Sequence, residues 1–225
     1  MKRSLVHVLT SPIRCFETRV KQPPRWSSAI SVLVAQCALA AASGVLIAYK
    51  GRAGLVAALG DIEGAGSGNV IALTTSVFAV IVNVLGTMGF FAASVAALAL
   101  LDVLFSQSGR IRRLIEFAAY AYLPTVVWGV ISLTVLLIWW TPAQLRVPSF
   151  ASPDDFPALL ATHQANLQAS PIQITLRIVA SYFWAWRIAI QVAALRVVSG
   201  FSVLGTWVSG VVLIGIFVIL PWLIG

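Results

Sequence analysis

Five apolar stretches, at about residues 29–49, 70–101, 114–140, 172–195 and 202–223, occupy most of this 225-residue chain. Each reaches the roughly 20 residues that a helix needs to cross the hydrocarbon of a bilayer. Inside hydrocarbon a backbone must satisfy its own N–H and C=O groups, which a continuous helix does. Only 10% of the residues are charged and 60% are hydrophobic. A soluble domain carries about 25% charged residues, so this chain has too little polar surface to cover a water-soluble globule. The expected fold class is all-α: a polytopic membrane helical bundle of about five transmembrane helices, with amphipathic surface helices.

The stretches differ in ways that predict their shape. The second is longer than a bilayer needs, so it must tilt, bend or protrude, and Gly86 and Gly89 are the expected bend. Asn83 and Thr87 share a face nearby and could bond a neighbouring helix. Pro124 is the expected kink of the third, and Trp139-Trp140 marks its far interface. Between the first two, residues 50–69 read as a loop with a flexible Gly64-Ala65-Gly66-Ser67-Gly68 run. Residues 141–172 read as a longer polar loop. Within it, Ser152-Pro153-Asp154-Asp155 is a helix start, and Phe156, Leu159, Leu160 and Leu167 share one face of a short amphipathic helix. His163 stands alone on it and reads as a solvated surface histidine.

Ahead of the spans, residues 1–28 form a basic amphipathic segment, and residues 29–225 the membrane domain. Leu5, Val8, Leu9, Ile13, Phe16 and Val20 recur at helical spacing, and Ser11-Pro12 is a cap followed by a first-turn proline. An apolar stripe flanked by cations predicts a helix along the inner membrane surface, with Ile13 and Phe16 toward lipid and Arg14 and Arg19 at headgroup level. Pro23-Pro24 ends it. The first apolar run outlasts a signal-peptide core, and Gln36 before Cys37 does not suit lipoprotein processing, so an uncleaved first span is expected. With the N-terminus inside, inner segments hold 10 of the 15 Lys and Arg residues, outer segments hold 4, and Arg187 lies within a span. That bias predicts a cytoplasmic N-terminus and an outside C-terminus. It also accounts for the net charge of +8 without nucleic acid, for which the sequence has no reading motif.

The chain lacks the marks of catalysis. There is no His-Glu-x-x-His pair, no nucleotide-binding Gly-Lys-Ser/Thr loop, and Gly200-Phe201-Ser202 fails as a nucleophile elbow because position 204 is Leu204. Cys15 and Cys37 lie at different depths and have no His at ligand spacing, so neither a disulfide nor a metal site is expected, and no cofactor. The notable intramembrane charge is Arg187. A charge there must be paired or reach water. Glu116 and Asp102 stand at similar depth, so an ion pair of Arg187 with Glu116, or with Asp102, is expected; a substrate or lipid-headgroup site around the same residues is the sharper alternative. A polar path through the helices would have only Asn83, Thr87, Tyr120, Arg187 and Gln191 to line it.

Two segments resemble the Yip family of five-span membrane proteins, the Ypt/Rab-interacting proteins and their bacterial relatives. Residues 112–124, RRLIEFAAYAYLP, resemble that family's third-span entry. Residues 184–207, WAWRIAIQVAALRVVSGFSVLGTW, resemble its fourth-to-fifth-span junction, and LTSPIRCFETRVKQPP resembles the amphipathic opening of bacterial members. The resemblance implies a non-catalytic scaffold or accessory subunit in the bacterial inner membrane, whose partners are the lipid bilayer and other membrane proteins. By analogy these include ABC-type exporters; a homo-oligomer stays open. The Asp-Leu-x-Gly-Pro motif of eukaryotic relatives has no match here, and Arg-over-Lys, Ala-rich usage suits a bacterium, so Rab binding does not carry over. A small transporter or channel is the competing expectation.

Overall fold

The computed structural model describes residues 2–59, 65–105, 110–139 and 171–219. Among these the regular structure is all helical. Helices α1 (Lys2–Thr10) and α2 (Pro12–Val20) precede two long helices, α3 (Trp26–Leu59) and α4 (Ala65–Phe105). Then come α5 (Ile111–Tyr120), α6 (Leu123–Trp139), α7 (Pro171–Ser199) and α8 (Val203–Ile214), which runs on into a π-helical turn, Gly215–Ile219. Among the described residues, four stretches are long and apolar enough to cross a membrane: Trp26–Lys50, Val77–Phe105, Ile111–Trp139 and Ile174–Ser199. Val203–Phe217 is a shorter apolar helix, and the end of the fifth expected span lies outside the described residues. Leu73, Phe78, Leu85, Leu104, Leu204, Trp207 and Val211 are all exposed on these helices. A water-soluble surface does not carry so much apolar area, whereas lipid tails cover it at no cost. The chain is an integral membrane protein.

Several boundaries follow local chemistry. Pro12 opens α2 behind Ser11, as its missing N–H allows. The third span breaks at Ala121-Tyr122, just ahead of Pro124. Pro124 has no N–H for the carbonyl four residues back, and its ring disfavours helical backbone at the residue before it. Gly200 adopts φ +69, the left-handed conformation that ends α7, and the Ser202 hydroxyl accepts the Gly205 N–H at 3.1 Å to start α8.

The expected loop at 50–69 is corrected. Helix α3 continues to Leu59 and α4 already begins at Ala65. Ala53, Leu55, Ala57, Ala58 and Leu59 are good helix formers that carry α3 onward. Gly66 and Gly68 fall in the opening turns of α4, where the first N–H groups have no intrahelical partner in any helix. Likewise Gly86 and Gly89 do not interrupt α4, which is one helix of 41 residues. The amphipathic helix expected after Ser152, with His163, lies outside the described residues.

The chain divides into two compact units. One comprises Met1–Cys37, Gly86–Trp128 and Ala180–Gly225. Its core gathers Phe16, Leu98, Leu114, Phe117, Tyr120, Tyr122, Ile190, Leu195 and Leu213, all at most 2% exposed. The other comprises Ala38–Leu85 and Gly129–Val179. There Leu136 is buried against Leu46, Ile47 and Leu176, and the Lys50 ammonium caps α6 by donating to the Leu136 and Leu137 carbonyls at 2.5 and 2.9 Å.

Small residues let α3 and α4 approach closely in the second unit. A Cβ at Gly44 would stand 2.7 Å from the Asn83 amide nitrogen and 3.4 Å from the Ala79 carbonyl oxygen. Gly44→Val is therefore expected to lower stability by about 1–3 kcal/mol, as overpacking does. Unfolding in mixed micelles measures it, and an unchanged midpoint would show that the helices part without cost.

Candidate functional site

Two polar clusters are built into the first unit. The lower-numbered one centres on Glu116, whose side chain is fully buried near the start of the third span. Three donors converge on it. Arg19 Nη2 donates to Oε1 at 3.2 Å, the Arg25 backbone N–H donates to the same oxygen at 3.1 Å, and Arg113 Nη1 donates to Oε2 at 2.9 Å. Arg113 is one turn before Glu116 on α5, so that contact is local. Arg19 comes from α2, and Arg25 from the approach to α3. One carboxylate thus ties three separate segments together. Arg113 Nη2 also reaches the Val20 carbonyl at 3.4 Å, and the Arg19 guanidinium lies 4.9 Å from the centre of the Tyr120 ring.

Apolar packing follows the same seam. Phe16 stacks on Phe117 with ring centres 4.2 Å apart and planes at 11°, and it is 0% exposed. Ile13, Cys15 and Val20 are half-buried against the same core, while Arg14 points outward. Burial pushes the Cys15 thiol above its ordinary range, against the opposing pull of the Arg19 charge, which leaves it a poor nucleophile at neutral pH. The amphipathic helix expected at 11–22 exists as α2, but its apolar stripe is turned inward onto α5. Phe16 meets Phe117 rather than lipid, and Arg19 meets Glu116 rather than headgroups. A stripe of this kind seeks any apolar surface, and the aromatic face of α5 supplies one within the protein.

The second cluster centres on Arg187, 1% exposed on α7. Its Nη2 donates to Ser94 Oγ and to Tyr122 Oη, both at 2.6 Å. The guanidinium carbon lies 3.7 Å from the Tyr122 ring centre and 4.7 Å from that of Trp184. Phe90 packs edge-on against Trp184. Nε and Nη1 have no hydrogen-bond partner among the described residues. The expected ion pair is absent: Glu116 is held by Arg19 and Arg113, and Asp102, itself buried, accepts from the Ser199 hydroxyl. Two aromatic faces and two hydroxyls stand where a carboxylate was expected. Cation–π contacts are worth about 2 kcal/mol or more when desolvated, and they offset part of the burial cost of the charge.

Of the residues proposed to line a polar path, Tyr120 and Gln191 are buried in the first unit and Thr87 is half-buried there. Asn83 belongs to the second unit, over Gly44. Tyr122, Ser94 and Trp184 were not anticipated as partners of Arg187. Trp184 stands three residues before it on the same helix, a spacing that could have signalled the contact.

A guanidinium buried without a carboxylate makes a testable contrast. Arg187→Met keeps the volume and removes the charge, and the Ser94 and Tyr122 hydroxyls, which hydrogen-bond each other, can then serve each other. We expect stability within about 1 kcal/mol of wild type, or above it, because replacing buried charge by apolar bulk is often neutral or stabilising. Arg187→Ala should lose about 2–5 kcal/mol through the cavity it leaves. Equal losses in both variants, read by thermal unfolding in detergent, would mean that the guanidinium itself holds the helices.

Comparison with characterised proteins and with solved structures gives no match. A comparison of the sequence with family patterns does: the Yip1 domain matches residues 6–224, from α1 through all the spans and both polar clusters. The chain belongs to the Yip1 domain family.

Proposed function

We propose that this protein is a non-catalytic scaffold or accessory subunit for other membrane proteins, an ABC-type exporter among them by analogy with bacterial relatives. The observation that carries the reading is the Glu116 seam. It docks α2 onto the entry of the third span through three donors and a stacked aromatic pair. A basic segment held in a fixed pose at the membrane boundary is a ready platform for a partner. Arg14, Glu17 and Thr18 are exposed on its outer side. Both oxygens of the buried Glu116 are engaged within the seam, which suits assembly rather than turnover. The excess of Lys and Arg in segments 1–28 and 110–113 favours placing this platform on the cytoplasmic side of a bacterial inner membrane.

A second reading, a small transporter, draws on one observation: the two unpartnered nitrogens of Arg187, which are donors suited to an anion. One experiment separates the readings. A photo-crosslinker at Arg14 or Thr18 should trap the same membrane protein repeatedly from native membranes, and trapping should fall when Glu116→Ala releases α2. Purified protein in liposomes should then pass no anion. Anion flux that disappears in Arg187→Met, with no protein trapped, would replace the scaffold by the transporter.

A further inference from the structure

Beside the Glu116 seam lies an open cleft of about 890 Å³, lined by Val20, Lys21, Arg110, Ile111, Arg112 and Arg113. Among the described residues that line it, four are cations and none is an acid. Lys21, Arg110 and Arg112 are exposed, and Arg113 is half-buried. The helix that starts in the cleft adds to the charge: α5 opens at Ile111 with no side-chain cap and no acid in its first turn. Among the described residues, no side-chain cap or first-turn acid offsets its positive dipole end. Glu116 holds Arg113 from the seam side, and the exposed Lys21 and Arg112 add positive potential at the mouth of the cleft, which favours an anion there.

Three arginines specify the anion further. Guanidinium forks match the oxygens of phosphate in pairs, which a point charge such as a halide cannot use. The position of the cleft specifies the source. The candidate span Ile111–Trp139 begins in the cleft wall itself, and the span Trp26–Lys50 begins five residues after Lys21. Both walls thus stand at the level where hydrocarbon gives way to headgroups.

We propose that this cleft holds the phosphate of an anionic phospholipid headgroup, with Lys21 and Arg112 as the adjustable cations and Arg113, fixed by Glu116, as the rigid one. The test uses the full chain in detergent, followed by native mass spectrometry against phosphatidylglycerol, phosphatidylcholine and inorganic phosphate. Wild type should retain phosphatidylglycerol at least about tenfold over phosphatidylcholine, and added salt should erode that preference. Lys21→Gln with Arg112→Gln changes two exposed side chains outside the seam, so the protein should fold, and the preference should fall to near unity. A preference unchanged in the double variant, or absent in wild type, overturns the proposal. Retention of inorganic phosphate without preference between the two lipids overturns the lipid source and assigns the cleft to free phosphate.

Discussion

Glu116→Ala should cost about 3–5 kcal/mol, the loss seen when one partner of a buried ion pair is removed. The carboxylate is fully buried, and the Arg19 and Arg113 side chains beside it are only 11% and 15% exposed. Removing it strands two guanidinium groups and one backbone N–H that water reaches poorly. The cheapest escape is for α2 to lift off, so the loss should saturate at the free energy of docking that helix. Trypsin would then cut after Arg19 and Lys21 far sooner than in wild type, while the membrane spans persist. Arg19→Met should be much milder, since Glu116 keeps Arg113 and the Arg25 N–H. A cycle with Arg19→Met and Glu116→Ala should show coupling of about 0.5–3 kcal/mol. Additive losses would mean that the contact carries no energy.

Phe16→Ala should cost a similar amount, about 3–5 kcal/mol, the range for emptying a buried aromatic site. Phe16 is 0% exposed and stacked on Phe117 at 4.2 Å. A side chain resting in lipid would lose far less, because lipid tails fill the space that a truncated residue leaves. Phe16→Leu, which keeps most of the apolar bulk, should recover the larger part. The two losses should be sub-additive, because Glu116→Ala and Phe16→Ala release the same helix. Chemical unfolding in bicelles with tryptic cleavage as a second readout measures both. A Phe16→Ala protein as stable as wild type would return Phe16 to the lipid face.

What could be read from the sequence alone divides along physical lines. Span lengths were legible because a bilayer sets them: the apolar runs around Ala29, Val95, Trp128 and Ile188 all lie within helices long enough to cross. Pro12 announced a helix start and Pro124 an interruption of the third span through fixed backbone chemistry. The direction of an amphipathic face was not legible. Ile13, Phe16 and Val20 share a stripe whether it meets lipid or protein, and only the fold placed Phe117 opposite it. The partner of a buried charge was open for the same reason. Glu116 has Arg113 one turn away in sequence, but Arg19 is 97 residues distant, and sequence depth alone favoured Arg187. Arg187 instead meets aromatic faces and hydroxyls, groups that charge counting never considers, and two of its nitrogens keep no partner among the described residues. Loop chemistry misled at Gly66 and Gly68, because glycines in an opening turn do not stop a long apolar helix.

The docking of α2 on the membrane domain is most directly measured by hydrogen–deuterium exchange of residues 12–20 in bilayer nanodiscs, wild type against Glu116→Ala. A helix held by Glu116 and Phe117 should exchange slowly in wild type, and at least about a hundredfold faster once the carboxylate is gone, as a loss of about 3 kcal/mol implies. A helix held by lipid instead would keep its protection in the variant, and that result would contradict the seam.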